Sequence, residues 1–269
     1  MGVFKLKKGY DIPLQGSAER RIEKAPKTTA VAVQPIDFRG LRPAMKVEAG
    51  DTVSRGSILF VDKQKPEILF RSPAAGTVRE VIRGERRVIQ RVIIDVAGDS
   101  AEKFDSYTAD QVKALSTSQV KEILLNSGLW PTIRQRPFSR IATSDASPKS
   151  IFISAVDTAP LQAESDMLLE GQEKHFQLGI QLLSRLTDGK IHLSVSARTK
   201  AFLSNITGVE LHEFSGPHPA GNVGVQIHHI DRIQAGEKVW YLSPRHVSQI
   251  GKFLSTGEYP GSKTYALTG

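Results

Sequence analysis

The 269-residue chain has no cysteine. That excludes disulfides, thiolate-ligated iron–sulfur clusters and a cysteine nucleophile, and it is compatible with a reducing compartment. Long apolar runs are missing too. No stretch approaches the roughly 20 residues that a membrane-spanning helix needs, and the opening MGVFKLKKGYDIP carries charge but no apolar core of signal length. Acidic residues are in deficit, 28 Asp and Glu against 36 Lys and Arg, for a formal charge of +8. The deficit is uneven: residues 1–150 hold 26 basic and 17 acidic side chains, residues 151–269 hold 10 and 11. Such a field suits nucleic acid, an anionic membrane surface or an acidic partner protein, although scattered charge is more often a solvated surface. No helix-turn-helix, zinc-finger or aromatic RNA-binding signature accompanies it, so nucleic acid is not expected as a partner. With 39% hydrophobic and 24% charged residues, the chain has the composition of a globular protein of one large or two smaller domains.

What is present divides into two patterns. Residues 1–30 read as an extended entry segment interrupted by Gly9, Pro13 and Gly16, with a short strand at 28–33. A dense series of short strands and glycine turns follows over 31–100: KVEAGDTVSRGSILF at 46–60, FRSPAAGTV at 70–78 and RVIQRVIIDV at 87–96. The pairing of a V-x-x-G-D-x-V half with an S-P-x-x-G-x-V half resembles the flattened barrel of biotinyl and lipoyl carrier domains. In those carriers the modified lysine sits at the hairpin tip between the halves, where this chain has Lys63. A solvent lysine is ordinary, and Lys65-Pro66 is unlike a carrier tip, so Lys63 is expected to be unmodified; a lipoyl- or biotinyl-type carrier is kept as the alternative function.

Over 101–257 the period becomes helical. Val112, Leu115, Val120, Ile123 and Leu124 fall on helical spacing, with Ser118 as a cap and Gly128 as a stop for the second helix. Strands are expected at 151–156, 191–195 and 225–230, and an amphipathic helix at 171–186. Strand, helix and strand within fifty residues make a βαβ unit, hence a largely parallel, Rossmann-like sheet. The closing residues 258–269 read as the start of a following region, with 262–269 a strand lacking a partner.

The run SGPHPAGNVGVQIHHID at 215–231 stands out. His218 between two prolines, followed by Gly221 and Gly224, marks a rigid loop of the kind that presents a ligand or partner surface at the end of a sheet, or a turn whose ring caps nearby backbone. No metal is expected: His212, His218, His228 and His229 lack a matching carboxylate pattern, and adjacent histidines on a strand face opposite sides.

Taken together, KKGYDIPLQGSAE at 7–19, the carrier-like barrel, GLWPTIRQRPFSR at 128–140, the turn Asp157-Thr158-Ala159-Pro160 and FSGPHPAGNVG at 214–224 resemble the A-subunit family of sodium-translocating NADH:quinone oxidoreductases over essentially the whole chain. The resemblance implies a peripheral subunit on the cytoplasmic face of the bacterial inner membrane, bound to the other subunits of a translocase. It also implies ubiquinone as the substrate of the complex, with FMN, FAD, riboflavin and the iron–sulfur center carried by partner subunits. This family is similar to the flavin-binding subunit of complex I and its Rnf counterpart, where a glycine-rich loop follows the first helix and a G-E-P or C-E-P turn follows the next strand. Here the corresponding segment, 129–138, contains no glycine, and only Pro160 of the acidic turn is kept. A filled pocket, no flavin of its own and no catalytic residue are therefore expected. Trp130, Arg134, Arg136, Phe138 and His218 are the candidate quinone or interface residues, with the plug and interface readings of 129–138 preferred over direct quinone contact.

Overall fold

The computed structural model describes residues 2–16 and 19–265. Strand β1 (Gly2–Lys5) joins the seven-stranded sheet of the α/β unit, not the β unit that follows it in sequence. The β unit holds β2 (Ala30–Val33), β3 (Pro43–Met45), β4 (Thr52–Val53), β5 (Ile58–Asp62), β6 (Leu69–Arg71), β7 (Gly76–Arg83) and β8 (Ile89–Val96). These form two antiparallel sheets, ordered β2-β8-β7-β4 and β3-β5-β6. Val53, Leu59, Phe60, Phe70, Val78, Val92 and Ile94 are buried in the core of this unit. At the β5–β6 turn, Lys63 is exposed, and the Asp62 carboxylate accepts the Gln64 N–H at 3.0 Å.

Two short helices follow, α1 (Ala109–Ala114) and α2 (Thr117–Asn126). Each starts with a reciprocal capping box, Thr108 with Gln111 and Ser116 with Gln119. Ser116, not the expected Ser118, caps α2, because only Ser116 has a glutamine three residues on to return the hydrogen bond. Gly128 ends the helix in a left-handed turn at φ +72°, as expected.

The third sheet has seven strands: β9 (Arg134–Arg136), β10 (Arg140–Ile141), β11 (Ile151–Ala155), β12 (Ile191–Val195), β13 (Glu210–Ser215), β14 (Val239–Leu242) and the N-terminal β1. Their order is β1-β13-β12-β11-β14-β9-β10; the first five run parallel, and β9 and β10 close the far edge antiparallel. The β11-to-β12 crossover carries α3 (Ser165–Leu169) and α4 (Glu173–Leu183). Next come α5 (Ala197–Leu203), α6 (Val223–Ile230) and α7 (Pro244–Thr256). The backbones of α4 and α7 approach so closely that a Cβ built on Gly251 stands 1.7 Å from the His175 carbonyl oxygen, and one on Gly179 stands 2.2 Å from that of Val247. Only glycine fits at this crossing.

Two expectations fail. Residues 225–230 are helical: the Asn222 side chain accepts the Gly224 N–H and starts α6, and Val223, Ile227 and Ile230 pack together on Phe152 and Val239. Those three positions have i, i+4, i+7 spacing, so the apolar run was one face of a helix. Residues 262–265 form no strand, and 266–269 lie outside the described residues.

The β unit and the α/β unit share one continuous buried cluster running from Val53 and Phe70 through Trp130 and Ile133 to Trp240 and Leu254. Polar ties cross the same boundary. Arg55 meets Glu258 at 3.0 Å, and the Ser144 hydroxyl donates to Glu67 at 2.8 Å.

Candidate functional site

Where the two units meet, a cleft of about 450 Å³ opens between β2, β6 and the turn after it on one side and β14 with the start of α7 on the other. Its walls are mainly apolar and aromatic: Phe38, Phe70, Pro131, Tyr241 and Tyr259, with Arg134 and His246 among the polar groups. Both units are needed to build it. The size falls within the range usual for small-molecule sites, about 300 to 1,000 Å³.

Each wall has an identifiable cause. Phe70 points inward from β6 by strand alternation and meets Phe38 edge-on at 4.9 Å and Phe60 in a stack at 4.6 Å. Arg134 on β9 lies over the Phe38 ring at 5.6 Å and donates to the Ser139 carbonyl at 3.0 Å. Arg136 lies over the Tyr241 ring at 5.1 Å, and the Tyr241 hydroxyl meets the Ser139 hydroxyl. Ser243 caps α7 and Pro244 takes its first turn, which places His246 at the cleft wall. Burial first, then the charges of Arg245, Lys263 and Arg134, lower the His246 pKa to about 4. At neutral pH it is an uncharged imidazole with one donor and one acceptor nitrogen. Burial likewise pushes the Tyr259 phenol up to about 12, against the pull of Arg71, so it stays protonated.

Arg71 lines one side of the cleft. Its Nε donates to the Asn126 carbonyl at 3.0 Å, Nη2 reaches the same oxygen, and Nη1 reaches the Gly56 carbonyl. An arginine of the β unit thus satisfies an end carbonyl of α2 in the neighbouring unit. Gly128 makes room for it: a Cβ there would stand 2.9 Å from Arg71 Cγ.

The expected site residues divide. Arg134 and Arg136 reach this cleft, Arg134 as a lining residue and Arg136 through Tyr241. Trp130 lies behind its floor, fully buried, donating to the Ala142 carbonyl at 2.8 Å and meeting Trp240 edge-on at 5.5 Å. It has no free face for a ligand ring. Phe138 is 67% exposed on the β9–β10 turn, with Arg140 over its ring at 5.9 Å. His218 is elsewhere. It lies beyond the C-terminal end of β13, four strand spacings or about 19 Å across the sheet from β9. The β9–β10 turn sits at the opposite end, since Arg136 pairs with Val239 at the start of β14. His218 pins the N-terminal segment: its N–H donates to Asp11 at 2.8 Å, its carbonyl accepts the Tyr10 N–H at 2.9 Å, and its Nδ1 lies 3.1 Å from the Thr158 hydroxyl.

Sequence reasoning missed Phe38, Arg71, Tyr241, His246 and Tyr259. The signals for β14 and α7 were present in VWYLSPRH at 239–246, a β-branched and aromatic run followed by a Ser cap and Pro at the first helical turn. That these face Phe38 and Phe70 depends on how the units pack.

Comparison with known proteins agrees with this two-part architecture. Residues 4–97 match the family model described as the NqrA N-terminal barrel-sandwich hybrid domain, and residues 115–259 match that of the NqrA second alpha/beta domain. The chain belongs to the NqrA family. Its curated relatives are A subunits of Na(+)-translocating NADH-quinone reductases. That of Histophilus somni strain 2336 is 42% identical over 98% of this chain and 59% of the relative. That of Pseudomonas aeruginosa is 40% identical over 99% of this chain and 60% of the relative. The chain therefore spans about three-fifths of the length of the relatives it matches. A solved NAD+-reducing [NiFe]-hydrogenase aligns with TM-score 0.33 and 14% identity over 55% of this chain and 30% of its own, a likeness too low to carry weight. Among the described residues, no helix is long and apolar enough to cross a membrane.

Proposed function

We propose that this chain serves as part of the peripheral A subunit of a Na+-translocating NADH:quinone reductase, and that the inter-unit cleft holds the quinone head. One observation carries the reading: an aromatic-walled cleft of about 450 Å³ with a neutral imidazole and a guanidinium at its rim. A benzoquinone ring is flat and apolar with two carbonyl acceptors, and this lining supplies aromatic surface from Phe38 and Tyr241, with Phe70 packed behind Phe38. His246 can donate to a quinone carbonyl or accept from a quinol hydroxyl without changing charge. Arg134 stabilises the negative charge that grows on a quinone oxygen as electrons arrive. Trp130 and His218 act as supports, one as floor and the other as clamp for residues 10–11.

Further parts of the reading follow from the same features. The unit from residue 101 to 257 is a Rossmann-like domain after the β unit of 31–100, with strands departing in opposite directions at β11 and β14. Its segment 129–138 has no glycine to cradle a phosphate, and Trp130 fills the space with indole, so the chain carries no flavin. FMN, FAD, riboflavin and iron–sulfur chemistry belong to the partner subunits, and the chain sits peripherally on the cytoplasmic face of the bacterial inner membrane. The test uses the assembled enzyme. Tyr241→Ala and His246→Gln should raise the KM for quinone about tenfold while NADH oxidation by an artificial acceptor stays unchanged, and His218→Ala should leave that KM within twofold. Equal KM values in all three variants would reject the cleft.

A further inference from the structure

The register of the seven-stranded sheet gathers three metal-capable side chains that are scattered in sequence. His192 on β12 stands opposite Glu210 on β13, and His212, two residues past Glu210, points to the same face. His192 Nδ1 lies 3.0 Å from His212 Nε2 and 3.6 Å from Glu210 Oε2, and the three donor atoms are all within 4.8 Å of one another. Tetrahedral zinc, with bonds of about 2.0 to 2.1 Å, sets adjacent ligand atoms about 3.3 Å apart. The separations of 3.0 Å and 3.6 Å straddle that spacing.

The surroundings suit a built site. His192 and His212 are 4% and 8% exposed, and the rings of Phe152 and Phe4 lie 4.8 Å and 6.0 Å from them. Strands on both sides hold the donors rigidly. Glu210 reaches the surface, its side chain 42% exposed, so the cluster has an entry side. Lys190 now pairs with Glu210 and is the cation a metal must displace.

We propose that His192, Glu210 and His212 form a site for a divalent cation of the zinc type, with three protein ligands and a fourth position open to water. Two nitrogens and one oxygen match zinc, cobalt or nickel and fit poorly with magnesium or calcium, which require six or more oxygens. The ion links β12 to β13 under α6, away from the quinone cleft, and the site is independent of the quinone reading. The expectation that no metal binds considered His212 without His192, and the missing carboxylate is supplied by Glu210 across the strand register.

The experiment is equilibrium dialysis and calorimetry of the chelator-treated 269-residue chain with Zn²⁺, and visible spectroscopy with Co²⁺ as a geometry probe. One Zn²⁺ per chain, a raised melting temperature and a four-coordinate Co²⁺ spectrum are expected. Glu210→Gln, a surface change that spares the fold, should weaken binding about tenfold, and His212→Gln about a hundredfold. Lys190→Met should strengthen it severalfold by freeing Glu210. A double His228→Ala, His229→Ala variant should bind as the parent does. The proposal is overturned by no stoichiometric binding to the parent, by Zn²⁺ affinity unchanged in Glu210→Gln and His212→Gln, or by loss of binding in the α6 double variant alone.

Discussion

Replacing Arg71 by Met tests whether the β unit and the α/β unit are held as one body. Methionine keeps most of the apolar stem and removes the guanidinium. Lost with it are the bonds to the Asn126 and Gly56 carbonyls and the position over the Phe104 ring at 5.0 Å. A hydrogen bond to a charged group contributes about 1.5 to 3 kcal/mol net, and a cation–π contact at a partly exposed site about 0.5 to 1 kcal/mol. Against this, burial lowers the Arg71 pKa, with Tyr259 and Glu102 opposing, so holding the charge there has a cost that the variant recovers. Water also replaces part of the bonding at the half-exposed end of α2. The net loss is about 2 to 3 kcal/mol. Urea unfolding followed by tryptophan fluorescence is the assay, because both tryptophans, Trp130 and Trp240, are fully buried in the α/β unit. A residue of the β unit then reports through probes in the other. A midpoint shift worth under about 0.5 kcal/mol would refute the cross-unit cap.

Three further outcomes follow. Gly251→Ala puts a methyl 1.7 Å from a backbone oxygen and must push α4 and α7 apart, costing about 2 to 4 kcal/mol after the roughly 1 kcal/mol gain in helix propensity; calorimetry showing no loss would contradict the crossing. His246, lowered to about 4 from an ordinary 6.5, binds fewer protons folded than unfolded, so its stabilising effect is complete above pH 6.5 and is lost as pH falls toward 4. His246→Gln should flatten the stability–pH curve in that window by about 2 to 3 kcal/mol, and an unchanged slope would show the imidazole to be solvated. Intact mass should find Lys63 without an added acyl group, and the isolated chain should be colourless; a lipoyl or biotinyl increment would favour the carrier alternative, and stoichiometric flavin would overturn the filled-pocket reading.

The local pattern was legible wherever one element decided it. The short strands at 58–62 and 89–96, the buried strands at 151–155 and 191–195, and the glycine stop at 128 all reflect constraints carried by a few neighbouring residues. The failure at 225–230 has the same origin. A short apolar run satisfies both periods, and the deciding contacts, Ile227 and Val223 against Phe152 and Val239, come from other elements. The candidate site was less legible because it is made by juxtaposition. Arg134 and Arg136 were found through their motif. Phe38 and Tyr241 stand 203 positions apart in sequence and share a wall only because β9 and β14 bring β2's following turn against α7. Trp130 and His218 were selected as conspicuous residue types in conspicuous loops, and in both cases the ring nitrogen that makes them conspicuous is used internally, by the Ala142 carbonyl and by the Thr158 hydroxyl.

The most direct measurement of the central claim is photo-crosslinking of an azido-ubiquinone to the assembled reductase, followed by peptide mapping of this chain. Label suppressed by excess ubiquinone and placed on peptides containing Phe38, residues 131–134 or Tyr241 is the predicted result. Suppressible label confined to the His218 loop, or found only on other subunits, would contradict it.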